Sequence, residues 1–356
     1  MLRFTFVVDK EACFVYWVQG LISWGPYFEK QEFKFYREKG APWTDAEERA
    51  LADLRGILTK KDKGFLWLWQ RYAGEEFGNI AEARKWEEIK SALENKFEKV
   101  WQSETLLLRK WPTRLSRRLL RVSCSDLFGR VGSFFGITKL KSENISVKLL
   151  LYSDPNLPAG HAKREFPSLL LLNLSNLGTE HIDNALEVLI HEATHLFEYQ
   201  SSVADGLLTA SYKKIIKPRL PQVWTGIQKI LSVAGVLKTR NSVQPSWKHL
   251  MVEAVLGSIA NRRHYSYAGI NLFHRFSENN RVYRTEGSID YLKNRNNYNL
   301  QIREVRESLV VLTKDYLDNH RRIDAEYCNF VAQRWLKVWD LYHIMVNRRG
   351  GILFLP

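Results

Sequence analysis

Between Val188 and Phe197 the chain reads Val-Leu-Ile-His-Glu-Ala-Thr-His-Leu-Phe, and no other stretch of its 356 residues constrains the fold as much. Residues four apart share one face of an α-helix, so His191 and His195 would present their imidazoles together while Glu192 reaches in beside them. Leu186, Leu189, Ile190, Ala193 and Phe197 recur at three- and four-residue steps and draw an apolar stripe next to that face. The spacing predicts a helix half sunk in a core. Asp183 or Asn184 is placed to cap its start, and no Pro or Gly interrupts the run as far as Gln200. The competing reading is plain: two His and a Glu on an amphipathic helix can be surface or hydrogen-bonded residues.

Neutral imidazoles suit Zn²⁺, and three protein ligands leave one position for a water whose pKa falls to about 7 on the ion. A carboxylate at Glu192 is then placed to accept that water's proton. From Val188 to Phe197 the chain resembles the zincin metallopeptidases, in which a helix carries His-Glu-x-x-His between hydrophobic flanks. The resemblance implies that His191 and His195 bind zinc and that Glu192 is general base and proton shuttle.

The third ligand separates the subclasses. A metzincin continuation would place Gly and then His or Asp where Glu198 and Ser201 stand, so that class is disfavoured. Cys13, Cys124 and Cys328 form no close pair of the kind a zinc ribbon needs. The similarity is to the gluzincins, whose third ligand is a Glu from a second helix after a long insertion, as in the peptidases related to the CAAX-processing protease. Between Leu250 and Ala260 the one charge is Glu253, and a carboxylate in so apolar a setting is expected to be paired or bound to metal. His249, Glu253, Gly257 and Ala260 follow at helical steps, the small residues among them would let another helix approach closely, and Pro245 and Ser246 mark a helix start. An ion pair with Arg or Lys is the alternative for Glu253. Asp205 and Glu198 are weaker ligand alternatives, and Glu198 or His249 is placed to orient a ligand instead. The acidic residue usual one turn after the ligand Glu is absent, Gly257 and Ser258 standing there. For the oxyanion of a tetrahedral intermediate, Tyr265, Tyr267 and His264 are the candidate donors, against the ordinary role of such residues in packing.

The predicted fold is α+β and predominantly helical, with a small zincin-type sheet ahead of the metal-binding helix. Ile145–Tyr152 and Ser168–Leu174 read as strands, with an opening strand over Leu2–Val8. By resemblance, Leu169–Asn173 is expected to be the edge that receives an extended peptide, a buried structural strand being the alternative. Asp154–Pro167 reads as a loop bordering the cleft. Thr44-Asp45-Ala46-Glu47 is a capping box ahead of a helix. Helices follow over Ile80–Trp101 and Thr105–Val122, the second broken at Pro112, and two more lie between Asn299 and Arg349. Gly129–Gly136 matches no phosphate-loop pattern, so nucleotide binding has no support. The expected organisation is a helical region 1–140, a zincin-like catalytic core 141–298 and a helical region 299–356 whose apolar tail, 350–356, packs on the body.

No apolar run is long enough to span a bilayer, the first residues lack the order of a signal peptide, and three scattered Cys suggest a reducing cytoplasm. The expected partner is a peptide or protein substrate, for an endopeptidase or an aminopeptidase. The net charge of +14 is the one feature this reading does not use. Basic clusters at Arg114, Arg117, Arg118 and Arg121, at Lys213, Lys214, Lys217 and Arg219, and at Arg262 and Arg263 point to nucleic acid or an anionic surface, or to solvated faces. A basic binding protein with a structural or vestigial zinc site is therefore the alternative function.

Overall fold

The computed structural model describes residues 2–22, 42–59, 63–121, 124–151, 159–174, 182–219, 247–260 and 297–349. In chain order the elements are β1 (Arg3–Val8), α1 (Lys10–Leu21), α2 (Asp45–Thr59), α3 (Lys63–Ala73), α4 (Ile80–Leu108), α5 (Trp111–Arg121), α6 (Cys124–Phe135), β2 (Asn144–Leu150), β3 (Ala159–Ala162), β4 (Leu169–Asn173), α7 (Ile182–Glu198), α8 (Ser202–Ser211), α9 (Trp247–Ile259), α10 (Asn297–Asp318) and α11 (Ala325–Arg349). Helices dominate and the strands form a small mixed sheet, an α+β architecture. Among the described residues no helix is long and apolar enough to cross a membrane.

The chain divides into two compact units, one of residues 1–121 and 141–196, the other of 122–140 and 197–356. α7 runs unbroken through the point of division, Phe197 and Glu198 counting with the second unit.

In the first unit the sheet order is β1-β2-β4-β3. β1 and β4 both run parallel to β2, pairing Phe6 with Val147 and Val147 with Leu170, while β3 pairs antiparallel to β4, Gly160 opposite Leu172. Of the two readings of Leu169–Asn173, the buried structural strand holds and the peptide-receiving edge does not. β4 is an inner strand with every residue buried, and the edge is β3. The physical reason lies in the sequence itself: four consecutive leucines are apolar on both faces, which suits a covered central strand better than a half-wet edge. β3 was expected to be loop, because Ala-Gly-His-Ala has low strand propensity and takes its pairing from β4.

α1 is buried from Ala12 to Leu21 and packs among helices and β2. Its apolar residues surround the helix, so it lacks the one-sided period that marks a surface helix. Asp9 caps it, accepting from the Glu11 amide at 2.9 Å and the Ala12 amide at 3.3 Å, and pairs with Lys148 of β2. Phe14, Trp17, Trp67, Trp86 and Phe97 interlock in edge-on and tilted contacts with centroids 5.1–6.0 Å apart. The capping box at the start of α2 forms in both directions: Thr44 donates its amide to Glu47 Oε2 at 2.7 Å and accepts the Glu47 amide at 3.3 Å. The break expected at Pro112 falls earlier, at Arg109 and Lys110, and Pro112 sits in the first turn of α5, where its missing N–H costs nothing.

In the second unit Gly129 and Gly132 lie inside α6 rather than in a connecting stretch. α9 packs on α10, and α10 and α11 form the expected C-terminal pair. Phe134, Phe135, Tyr316 and Tyr327 form an aromatic cluster, and a buried hydroxyl chain, Ser258–Thr313–Tyr327 at 2.8 and 2.7 Å, links α9 to α10 and α11. Ser201 caps α8 and donates its hydroxyl to the Phe135 carbonyl at 2.6 Å. The apolar tail, 350–356, lies outside the described residues.

Candidate metal centre

α7 carries the His-Glu-x-x-His motif on a single continuous helix. The apolar stripe is in the core: Leu186, Leu189, Ile190, Ala193 and Phe197 are each 5 % exposed or less. Asp183 in the first turn accepts from Arg118 Nε of α5 at 2.6 Å, an ion pair that also complements the positive end of the helix. Thr194 satisfies its buried hydroxyl on the Ile190 carbonyl at 2.8 Å. One turn apart, the rings of His191 and His195 stand edge to face, 5.1 Å between centroids and 82° between planes. His195 and Glu192 are buried and His191 is half-buried.

Glu253 is half-buried, and Leu250, Met251, Val252, Ala254, Val255 and Leu256 on either side of it are buried. One ligand atom from each of His191, His195 and Glu253 lies within 4.8 Å of the other two, and the three form a group able to hold a metal ion. Two imidazoles and a carboxylate are donor types that zinc accepts. Glu198 and Asp205 do not enter this group. Glu198 is buried one turn beyond His195, and Asp205 lies in the first turn of α8. Tyr265, Tyr267, His264, Arg262 and Arg263 lie outside the described residues, as does the side chain of His249.

Two glycines admit close approaches, of which only the one at Gly257 was expected from the sequence. A Cβ on Gly160 of β3 would fall 2.6 Å from Glu192 Cγ and 2.8 Å from Val188 Cγ1. The edge strand therefore lies directly against the motif's acid, and the absence of a side chain at 160 makes the space. On α9, a Cβ at Gly257 would fall 2.4 Å from Arg306 Cδ, so the Arg306 side chain of α10 crosses the helix one turn after Glu253. That is where an acidic residue was expected by resemblance. Gly160 is conspicuous only once Glu192 and Val188 are in place, whereas Gly257 is one of the small residues expected to let another helix approach.

No family model, no curated protein and no solved structure matches the chain.

Proposed function

We propose that the protein is a zinc-dependent peptidase of gluzincin type, with His191, His195 and Glu253 as ligands and Glu192 as general base. The observation that carries the reading is the grouping of a carboxylate from α9 with the two imidazoles of α7. Two neutral nitrogens and one carboxylate leave an open position on a four-coordinate ion, the arrangement of catalytic rather than structural zinc. When bound, the ion lowers the pKa of a water to about 7 and polarises the carbonyl under attack. Glu192 is adjacent in sequence to His191 and buried, which supports its reading as the base. Its carboxylate accepts the proton released on attack and returns it to the departing amide nitrogen. β3 ends the sheet with no described strand on its far side, and Gly160 brings its backbone against Glu192. An extended peptide added there by main-chain hydrogen bonds would have its scissile bond near the base.

The test is metal content and hydrolysis measured together. The purified chain should hold one equivalent of zinc, and Glu192→Gln should keep it while peptide cleavage falls by at least about a hundredfold. Full activity in that variant would overturn the mechanism. Retained zinc without cleavage by the wild type would assign the site a structural role.

A further inference from the structure

Residues 105–125 contain no Asp or Glu and six basic residues: Arg109, Lys110, Arg114, Arg117, Arg118 and Arg121. Arg118 is engaged with Asp183. Arg109, Lys110, Arg114 and Arg117 are exposed. The same corner of the fold, where α4 ends and α5 runs, is unusual in a second respect. Among the described residues the exposed large apolar side chains are Leu66, Ile80, Leu106, Leu107, Leu120, Val203 and Val311, and three of these seven fall within residues 106–120. Leu120 is 84 % exposed and Leu106 67 %.

Neither set is explained by packing. α5 spends its apolar face on the core through Trp111 and Leu115, 1 % and 0 % exposed. Arg117 and Leu120 lie on the opposite side of the helix, with Arg114 exposed at the flank of the buried face. A basic face built only to stay hydrated gains nothing from bare leucines, and a nucleic-acid face would pair its cations with aromatic or hydrogen-bonding side chains. Cations interleaved with aliphatic side chains suit a bilayer surface, where guanidinium groups meet lipid phosphates and leucines enter the acyl boundary.

We propose that the α4–α5 corner, formed by Leu106, Arg109, Lys110, Arg114, Arg117 and Leu120, docks the protein on the surface of an anionic phospholipid bilayer. The attachment is peripheral. Through the Arg118–Asp183 ion pair it brings the first turn of α7 near the lipid, so the motif helix would work beside a membrane. The proposal does not rest on the metal reading, and its test uses no catalytic readout.

The full chain is floated with vesicles of phosphatidylcholine alone or of phosphatidylcholine mixed with phosphatidylserine. It should bind only the mixed vesicles and be released by salt. Lys110→Gln, Arg114→Gln and Arg117→Gln together should lower the partition coefficient roughly a hundredfold, about fivefold for each charge. Leu106→Ser with Leu120→Ser should lower it roughly tenfold with an unchanged melting temperature, because these side chains are exposed. Failure of the wild type to bind mixed vesicles, or binding indifferent to both variants, overturns the proposal. Salt-sensitive binding of duplex DNA, lost with the three charges and kept without the two leucines, together with no vesicle binding, would overturn it in favour of a nucleic-acid surface.

Discussion

Replacing Gly160 by Ala tests the placement of the edge strand against Glu192. The added methyl group would meet Glu192 Cγ at 2.6 Å and Val188 Cγ1 at 2.8 Å, where ordinary contact begins at 3.4 Å. Relief requires a movement of about 0.8 Å between β3 and the Glu192 side chain, given ordinary carbon contact distances. Val188 is β-branched and cannot turn aside freely, so most of the adjustment falls on Glu192 or on the strand. Overpacking of this kind costs about 1–3 kcal/mol, which for a protein of this size lowers Tm by roughly 2–10 °C. A displacement approaching 1 Å at a general base is expected to reduce turnover by about a hundredfold. Zinc content should not change if the proposed ligands are right, since the groups nearest an added Cβ belong to Glu192 and Val188. Melting curves, metal analysis and kcat on a peptide substrate together decide the matter. A variant with wild-type Tm and wild-type kcat would refute the contact and, with it, the role of β3 as the strand bordering the site.

Two further outcomes follow from the cores of the separate units. The Asp9 carboxyl is pushed up by burial, but the Lys148 hydrogen bond and charge, with the Ala12 and Glu11 amides, outweigh this and hold it below the ordinary aspartate value. A lowered folded-state pKa contributes stability above the unfolded value of about 3.9 and loses it as pH falls through the folded value. Asp9→Asn, which retains a capping oxygen, should therefore destabilise by about 1 kcal/mol near neutral pH and converge on the wild type in acid; a constant difference across a pH series of denaturant melts would contradict the assignment. Thr313→Val keeps shape but removes the middle of the Ser258–Thr313–Tyr327 chain, leaving two buried hydroxyls short of a partner. A loss of about 1–3 kcal/mol is expected, and Thr313→Ser should recover most of it in the same unfolding assay.

The helix of the motif, the second helix around Glu253 and two central strands were legible because each writes its environment into local spacing. A four-residue step unites His191 with His195, and a lone charge in an apolar run singles out Glu253. The grouping of Glu253 with the two imidazoles could be expected only by resemblance, since sequence spacing says nothing about residues 58 positions apart, as 195 and 253 are. What escaped was structure imposed from outside the segment. β3 is a strand because β4 offers it a ladder, and Ala-Gly-His-Ala alone gives no sign of it. α1 hid for the opposite reason, its apolar residues being spread around the whole helix rather than along one side. Gly160 matters through side chains from another element, which no local pattern encodes, whereas Gly257 stands in a helical row of small residues that did point to a close helix neighbour.

The parallel pairing of β1 with β2 has a consequence for how this chain is made. Arg3 meets Asn144, so the first strand leaves the ribosome long before its neighbour exists. α1 follows it, enclosed on nearly every side in the finished fold and therefore apolar on nearly every side while it waits. Non-local parallel pairing is slow to form, and apolar surface exposed in the interval invites association with other nascent chains. Translation speed and chaperone supply should therefore govern the yield of folded protein more strongly than the stability of the finished fold does.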